Sequence, residues 1–146
     1  MTPYIDTSVL VTAAGVPEPT ASATSTACRT LVQAIGNGSL AAAISAEVLQ
    51  ELLHAASWRQ ARTHGLLLVE LVATLFPHPL PISGTTVVKA ASLMRATPHL
   101  GTRVAIHAAA MSEAQINDVI ALDPEFGLIS GIRRLSPADA VSQYRL

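Results

Sequence analysis

The sequence predicts an α/β domain, a mainly parallel central sheet with helices on both faces. Three observations carry this expectation. Short aliphatic runs bounded by turn residues alternate with longer stretches whose apolar residues recur at helical spacing. The chain is 50% hydrophobic but only 3% aromatic, which suits a core of aliphatic strands and Ala-rich helices. Its 146 residues suit one compact domain, and no repeat or linker divides them, so a single domain over 1–146 is expected.

Tyr4-Ile5 reads as a first buried strand that ends on Asp6. Thr7 or Ser8 is placed to cap a helix over Val9–Ala14, closed by Gly15. A turn follows at Val16-Pro17-Glu18-Pro19. Ser22 to Ile35 is helical, with Cys28, Leu31, Val32 and Ile35 in one stripe, and stops at Gly36-Asn37-Gly38. Leu40–Ile44 is a short second strand. Ser45 caps a long helix from Ala46 to about Gln60, on which Val48, Leu49, Leu52, Leu53 and Ala56 share a face. Leu66–Phe76 is a helix ended by Pro77 and Pro79. Leu80-Pro81-Ile82 is a short strand and Gly84–Ala96 a helix. Thr102 caps a helix to about Glu113. Asp118–Leu122 is a strand running into Asp123-Pro124, and Glu125-Phe126-Gly127 is a turn or short helical piece. Arg133-Arg134-Leu135 is an edge strand, and Pro137 opens a tail helix.

Composition narrows the function classes. A net charge of −1 gives no global basic field, although a local Arg cluster can still meet nucleic acid. Cys28 stands alone, so there is neither a disulfide framework nor a thiolate metal cage, and a reducing cytoplasm fits. The N-terminus lacks the basic start and apolar run of a signal peptide, and no apolar stretch is long enough to span a membrane.

Three of the ten acidic residues fall where a solvated surface is a poor explanation. Asp6 and Asp123 end strands, and Glu51 lies inside the helix after the second strand, on one face with Glu47 and His54. Strand ends of an open α/β sheet border its ligand crevice. Three carboxylates gathered there repel one another unless protonated or shared by a cation. Oxygen-only donors suit Mg²⁺ or Mn²⁺, and the chemistry they support is hydrolysis of a phosphodiester. Thr7 and Ser8 would steady Asp6. Arg103, Arg133 and Arg134 are the better candidates for nucleic-acid contact among the arginines, ahead of Arg29, Arg59 and Arg62.

Four segments then resemble the PIN-domain family, and within it the VapC-type toxins of bacterial toxin–antitoxin pairs. They are Tyr4-Ile5-Asp6-Thr7-Ser8-Val9-Leu10, Ile44 to His54 with Glu51 at its acid, Arg103 to Ala110, and Ala121-Leu122-Asp123-Pro124-Glu125-Phe126. Together they span nearly the whole chain in the family's order. The resemblance implies a three-layer α/β/α fold and a Mg²⁺- or Mn²⁺-dependent endoribonuclease acting on tRNA or rRNA. It also implies a homodimer and a VapB-like antitoxin that plugs the acidic cleft. One departure stands out: Val104 occupies the position where the family usually carries Asp. Val cannot ligate a metal, so the cleft keeps three carboxylates of four. Asp and Val differ by one base in the codon, which points to a weakened or inactivated toxin.

The alternative is a catalytically dead PIN-like module that still dimerises and binds an antitoxin. Other motifs carry less. Glu51-Leu52-Leu53-His54 matches one Glu-x-x-His element of a di-iron bundle, but that site needs two. No glycine-rich stretch is followed by Lys-Ser/Thr, so there is no phosphate loop. A receiver-like phosphoacceptor at Asp6 lacks its late Lys, since Lys89 is the chain's sole lysine. His107 reads as a packed residue on an Ala-rich helix that could approach the cleft. The aliphatic faces around Leu52, Leu53 and Trp58, and of Leu66–Phe76, read as core or as an antitoxin groove.

Overall fold

A computed structural model of the chain describes residues 1–16, 21–57 and 62–146. Strand β1 (Tyr4–Ile5) leads into α1 (Thr7–Ala14), followed by α2 (Ala23–Gly36), α3 (Ala46–Ala55), α4 (Arg62–Leu75), α5 (Gly84–Ala96) and α6 (Thr102–Glu113). Then come β2 (Asp118–Ile120), a 3-10 turn (Pro124–Leu128), β3 (Arg133–Leu135) and α7 (Pro137–Tyr144). The sheet is parallel, in the order β1-β2-β3, with Tyr4 opposite Val119 and Asp118 opposite Arg133. Parallel neighbours need crossovers: helices α1 to α6 supply the one from β1 to β2, and the 3-10 turn with its loop the one from β2 to β3. The α/β architecture with a parallel central sheet is thus the observed one.

Two expected strands shrink to single parallel bridges. Ala43 pairs with Tyr4, and Leu80 with Ser45. Ala43 N–H donates to Pro3 O and Ile5 N–H to Ala43 O, both at 2.9 Å. Leu80 exchanges bonds of 2.8 Å with Ile44 and Ala46. The ladder cannot extend past Leu80, because the partner segment turns into helix α3 at Ala46.

Helix boundaries move for equally local reasons. Asp6, rather than Thr7 or Ser8, is the N-cap of α1, with its side chain accepting from Ser8 N–H. Gly15 closes that helix at φ 70°, a left-handed conformation that glycine adopts without strain. Ser22 and Ser25 form a reciprocal capping box at α2, and Ser83 and Thr86 do so at α5. Ser45 sits at the N-cap of α3, but its hydroxyl makes no cap bond. It is taken by Tyr4 at 2.6 Å. Gly101, not Thr102, is the N-cap of α6. Helix α3 ends at Ala55, and its expected continuation to Gln60, with Trp58 and Arg59, lies outside the described residues. So does most of the turn expected around Pro17 and Pro19.

The core lies where the sheet meets these helices. Tyr4, Ile5, Val9, Leu31, Ile44, Val48, Val119, Ile120 and Phe126 are all but fully buried. Burying each large side chain stabilises the fold by about 1.5–3 kcal/mol before entropy is counted. Cys28 is one of these core residues, and burial pushes its thiol up to about 11. Among the described residues, no helix is long and apolar enough to cross a membrane.

Candidate active site

The end of β1 delivers Asp6 to the rim of the sheet, where Asp6 N–H donates to Ile120 O at 3.0 Å. The neighbouring strand β2 carries the chain onward to Asp123. Helix α3, launched at Ser45, brings Glu51 in from the side. All three acids reach one group, the guanidinium of Arg103 in the first turn of α6. Arg103 Nη1 lies 3.0 Å from Asp6 Oδ1 and 3.4 Å from Glu51 Oε2, and Nη2 lies 2.7 Å from Asp123 Oδ2. The structure therefore brings together the three sequence-expected acids, separated by as much as most of the chain, around a single positive charge.

Each carboxylate is held by a second partner. Asp6 is fully buried and accepts from both the hydroxyl and the backbone N–H of Ser8. Ser8 Oγ in turn accepts from Leu122 N–H at 3.2 Å, which ties α1 to the residue before Asp123. Thr7 takes no part in this: its hydroxyl is buried and has no hydrogen-bond partner among the described residues. Asp123 Oδ1 accepts from Glu125 N–H at 2.9 Å, capping the 3-10 turn. Glu125 reaches on to Gly101 N–H at 2.9 Å and so fixes the start of α6, the turn that carries Arg103.

His107 was expected only as a packed residue that could approach the cleft. Its ring is fully buried, with Nε2 bonded to Glu51 Oε1 and Nδ1 2.7 Å from the Tyr4 hydroxyl. The available signal was a tyrosine in a buried strand, whose O–H must find a partner, and a histidine one turn after Arg103. Glu47, one turn before Glu51, is half-buried. Burial raises its carboxyl above the usual range, and the charge of Glu51 adds to this, while His107 and Arg103 oppose it. Burial works against the charge on Arg103, but Asp6 and Glu51 outweigh it, and its pKa is raised.

Val104 lies beside Arg103 in sequence but packs in the hydrophobic core, 2% exposed. Arg133 forks onto Asp118 through Nε and Nη2 and also reaches Gln143. Arg134 donates to the carbonyls of Ala121 and Leu122, immediately before Asp123. Both arginines thus brace the sheet edge rather than joining the acids. A cleft of about 470 Å³ opens beside the cluster, lined by Thr7, Ser8, Val11, Glu51, His54 and Arg103 among others. Its size is in the range of small-molecule sites.

No protein-family model matches the chain. It is 30% identical over 134 residues to Ribonuclease VapC7 of Mycobacterium tuberculosis, an alignment covering 91% of this chain and 90% of that protein. Its fold superposes with a TM-score of 0.70 on a chain of the VapBC2 complex of Rickettsia felis, solved with a DNA fragment from their promoter. That match covers 93% of this chain and 98% of the other at 14% identity, and speaks to fold alone. With the sheet, the convergent acids and this relative in agreement, the chain belongs to the VapC-type toxins of the PIN-domain family.

Proposed function

We propose that this protein is the toxin of a toxin–antitoxin pair, an endoribonuclease that hydrolyses RNA phosphodiester bonds with Mg²⁺ or Mn²⁺. The observation that carries the reading is the convergence of Asp6, Glu51 and Asp123 on one cationic group. The name of the similar ribonuclease supports it. The donor set fits a hard divalent ion, being carboxylate oxygen throughout. As disposed, however, no three acids or histidines among the described residues close on a metal, since Arg103 lies between them. Asp6, Glu51 and Asp123 would hold the ion once that guanidinium moves aside. When bound, it supplies Lewis acidity at the phosphate and a more acidic water.

The chain's own residues do the rest. Ser8 orients Asp6 through two hydrogen bonds. Arg103, with its side chain 37% exposed, can turn from the acids to a phosphate oxygen. The aliphatic Val104 supplies no fourth carboxylate, so ion binding and turnover are weakened or lost. Exposed Leu53, Leu67 and Leu71 on α3 and α4 suit a protein partner, a VapB-like antitoxin or a second copy in a homodimer. The substrate class is tRNA or rRNA.

One observation favours the second reading, a module that binds antitoxin without cutting: Arg103 already bridges the three acids without metal. Cleavage of a bulk tRNA and rRNA mixture with Mn²⁺ decides between them. Mn²⁺-dependent fragments that vanish in Asp6→Asn support the nuclease. Absence of cleavage in the wild-type chain and in Val104→Asp alike overturns it.

A further inference from the structure

Glu51 has two carboxylate oxygens and the structure uses them differently. Oε2 faces Arg103 at 3.4 Å, while Oε1 is bonded to His107 Nε2. A carboxylate can only accept, so Nε2 carries the hydrogen. In the neutral ring Nδ1 is then an acceptor, and the Tyr4 hydroxyl 2.7 Å away donates to it. Tyr4 in turn takes the hydrogen of Ser45 Oγ at 2.6 Å. This chain runs from the N-cap of α3, through β1, to α6 and back to α3.

The imidazole has little freedom to turn. Tyr4 meets it edge-on with ring centres 5.7 Å apart, and Phe126 packs at 6.3 Å on another side. Phe126 is three residues past Asp123, in the 3-10 turn that Asp123 caps. Nε2 also lies 3.8 Å from Asp6 Oδ1. One buried ring therefore contacts or adjoins all three segments that bring acids to the site.

We propose that His107 is the positioning residue of this site, fixing Oε1 of Glu51 so that Oε2 alone faces the place a cation takes. Its bearing on metal binding rests on the nuclease reading; the orientation of Glu51 does not. With Nε2–H donating to Glu51 and Nδ1 accepting from Tyr4, neither ring nitrogen has a lone pair left for a cation, which separates this role from that of a ligand. Outer partners that orient a ligating carboxylate typically change metal affinity about 10–100-fold. His107→Phe keeps a ring of similar size and loses the donor. His107→Gln loses the ring and keeps an N–H near Nε2.

The test has a metal-free arm and a Mn²⁺ arm. In the metal-free protein, imidazole ¹⁵N and ¹H spectra should report the Nε2-protonated tautomer, with its proton signal moved by Glu51→Gln. An Nδ1-protonated ring, or a signal indifferent to that change, overturns the proposal. Mn²⁺ titration followed by electron paramagnetic resonance should show binding weakened about tenfold or more in folded His107→Phe and largely restored in His107→Gln. Equal binding in wild type and His107→Phe overturns it as well. A wild-type chain that binds no Mn²⁺ sinks the nuclease reading instead. The Glu51 carboxyl ¹³C signal then decides: displacement in His107→Phe and return in His107→Gln support the proposal, and no displacement overturns it. Should His107→Phe fail to fold, Tyr4→Phe, which removes only the hydroxyl, should shift the same ¹³C signal, and no shift again overturns it.

Discussion

Arg103 Nη2 and Asp123 Oδ2 are 2.7 Å apart, a charge-assisted bond between the first turn of α6 and the end of the β2 segment. The same guanidinium also reaches fully buried Asp6. A buried carboxylate stripped of its cation is costly, though half-open surroundings reduce the penalty. Arg103→Ala should therefore destabilise the metal-free protein by about 1–3 kcal/mol. Because a divalent ion can replace the lost charge, Mn²⁺ should raise the stability of the variant more than that of the wild type. Urea unfolding with and without Mn²⁺ checks this; a variant indifferent to the ion would speak against cation exchange at the cluster.

Val104→Asp places a carboxylate in apolar packing at a position 2% exposed. In metal-free buffer the expected cost is about 1–3 kcal/mol, from burying a poorly paired charge. If the new acid faces the cluster, Mn²⁺ recovers most of that loss and binds more tightly than to the wild type. Paired melting curves, with Mn²⁺ and with chelator, measure both effects. A loss of stability that the ion leaves untouched would place residue 104 away from the cation.

Glu47 makes the pH dependence testable. Its carboxyl is raised in the fold by burial and by Glu51, so the folded state holds this proton more tightly than the unfolded chain. The folded state gains relative stability where that proton is bound, below the ordinary Glu pKa of about 4.3. It loses that increment as pH rises through the raised value. Glu47→Gln removes the penalty. It should melt higher than the wild type at pH 7, with the gain shrinking as the pH is lowered towards 4. A gain equal at both pH values would assign the effect to packing instead.

Gly65, early in α4, lies hard against α3. A Cβ added there would stand 2.6 Å from both Cα and Cβ of Ala56, atoms of buried backbone and a short side chain that cannot swing aside. Gly65→Ala should destabilise the fold by about 1–3 kcal/mol despite the better helix propensity of alanine. Denaturant midpoints measure it. Stability equal to or above the wild type would mean that the two helices separate freely.

The acids were legible because their places follow from strand ends. Tyr4-Ile5 and Val119-Ile120 read as buried strands, so the oxygens after them had one rim to occupy. Arg103 was harder. An arginine beside an acidic cleft reads as a contact for substrate phosphate, and local sequence does not reveal three acids folding back onto it. His107 was legible as a packed ring near the cleft, but its bond to Glu51 was not, since an Ala-rich helix accounts for burial without any polar partner. The strands at Leu40–Ile44 and Leu80–Ile82 were legible as runs but not in extent, because Pro3 has no N–H for the next rung of the first ladder and the partner in the second turns into helix α3 at Ala46. Capping shifted from Thr7 or Ser8 to Asp6, whose carboxylate both caps α1 and meets Arg103.

The pairing of Tyr4 with Val119 sets a schedule for biosynthesis. Strand β1 is made long before its parallel neighbour β2, with six helices between them, and contacts of such wide separation form late and slowly. Until then Asp6 has neither β2 beside it nor Arg103 to meet it. A nascent chain therefore carries its acids dispersed, and whatever chemistry they perform is withheld until α6 and β2 have both been made.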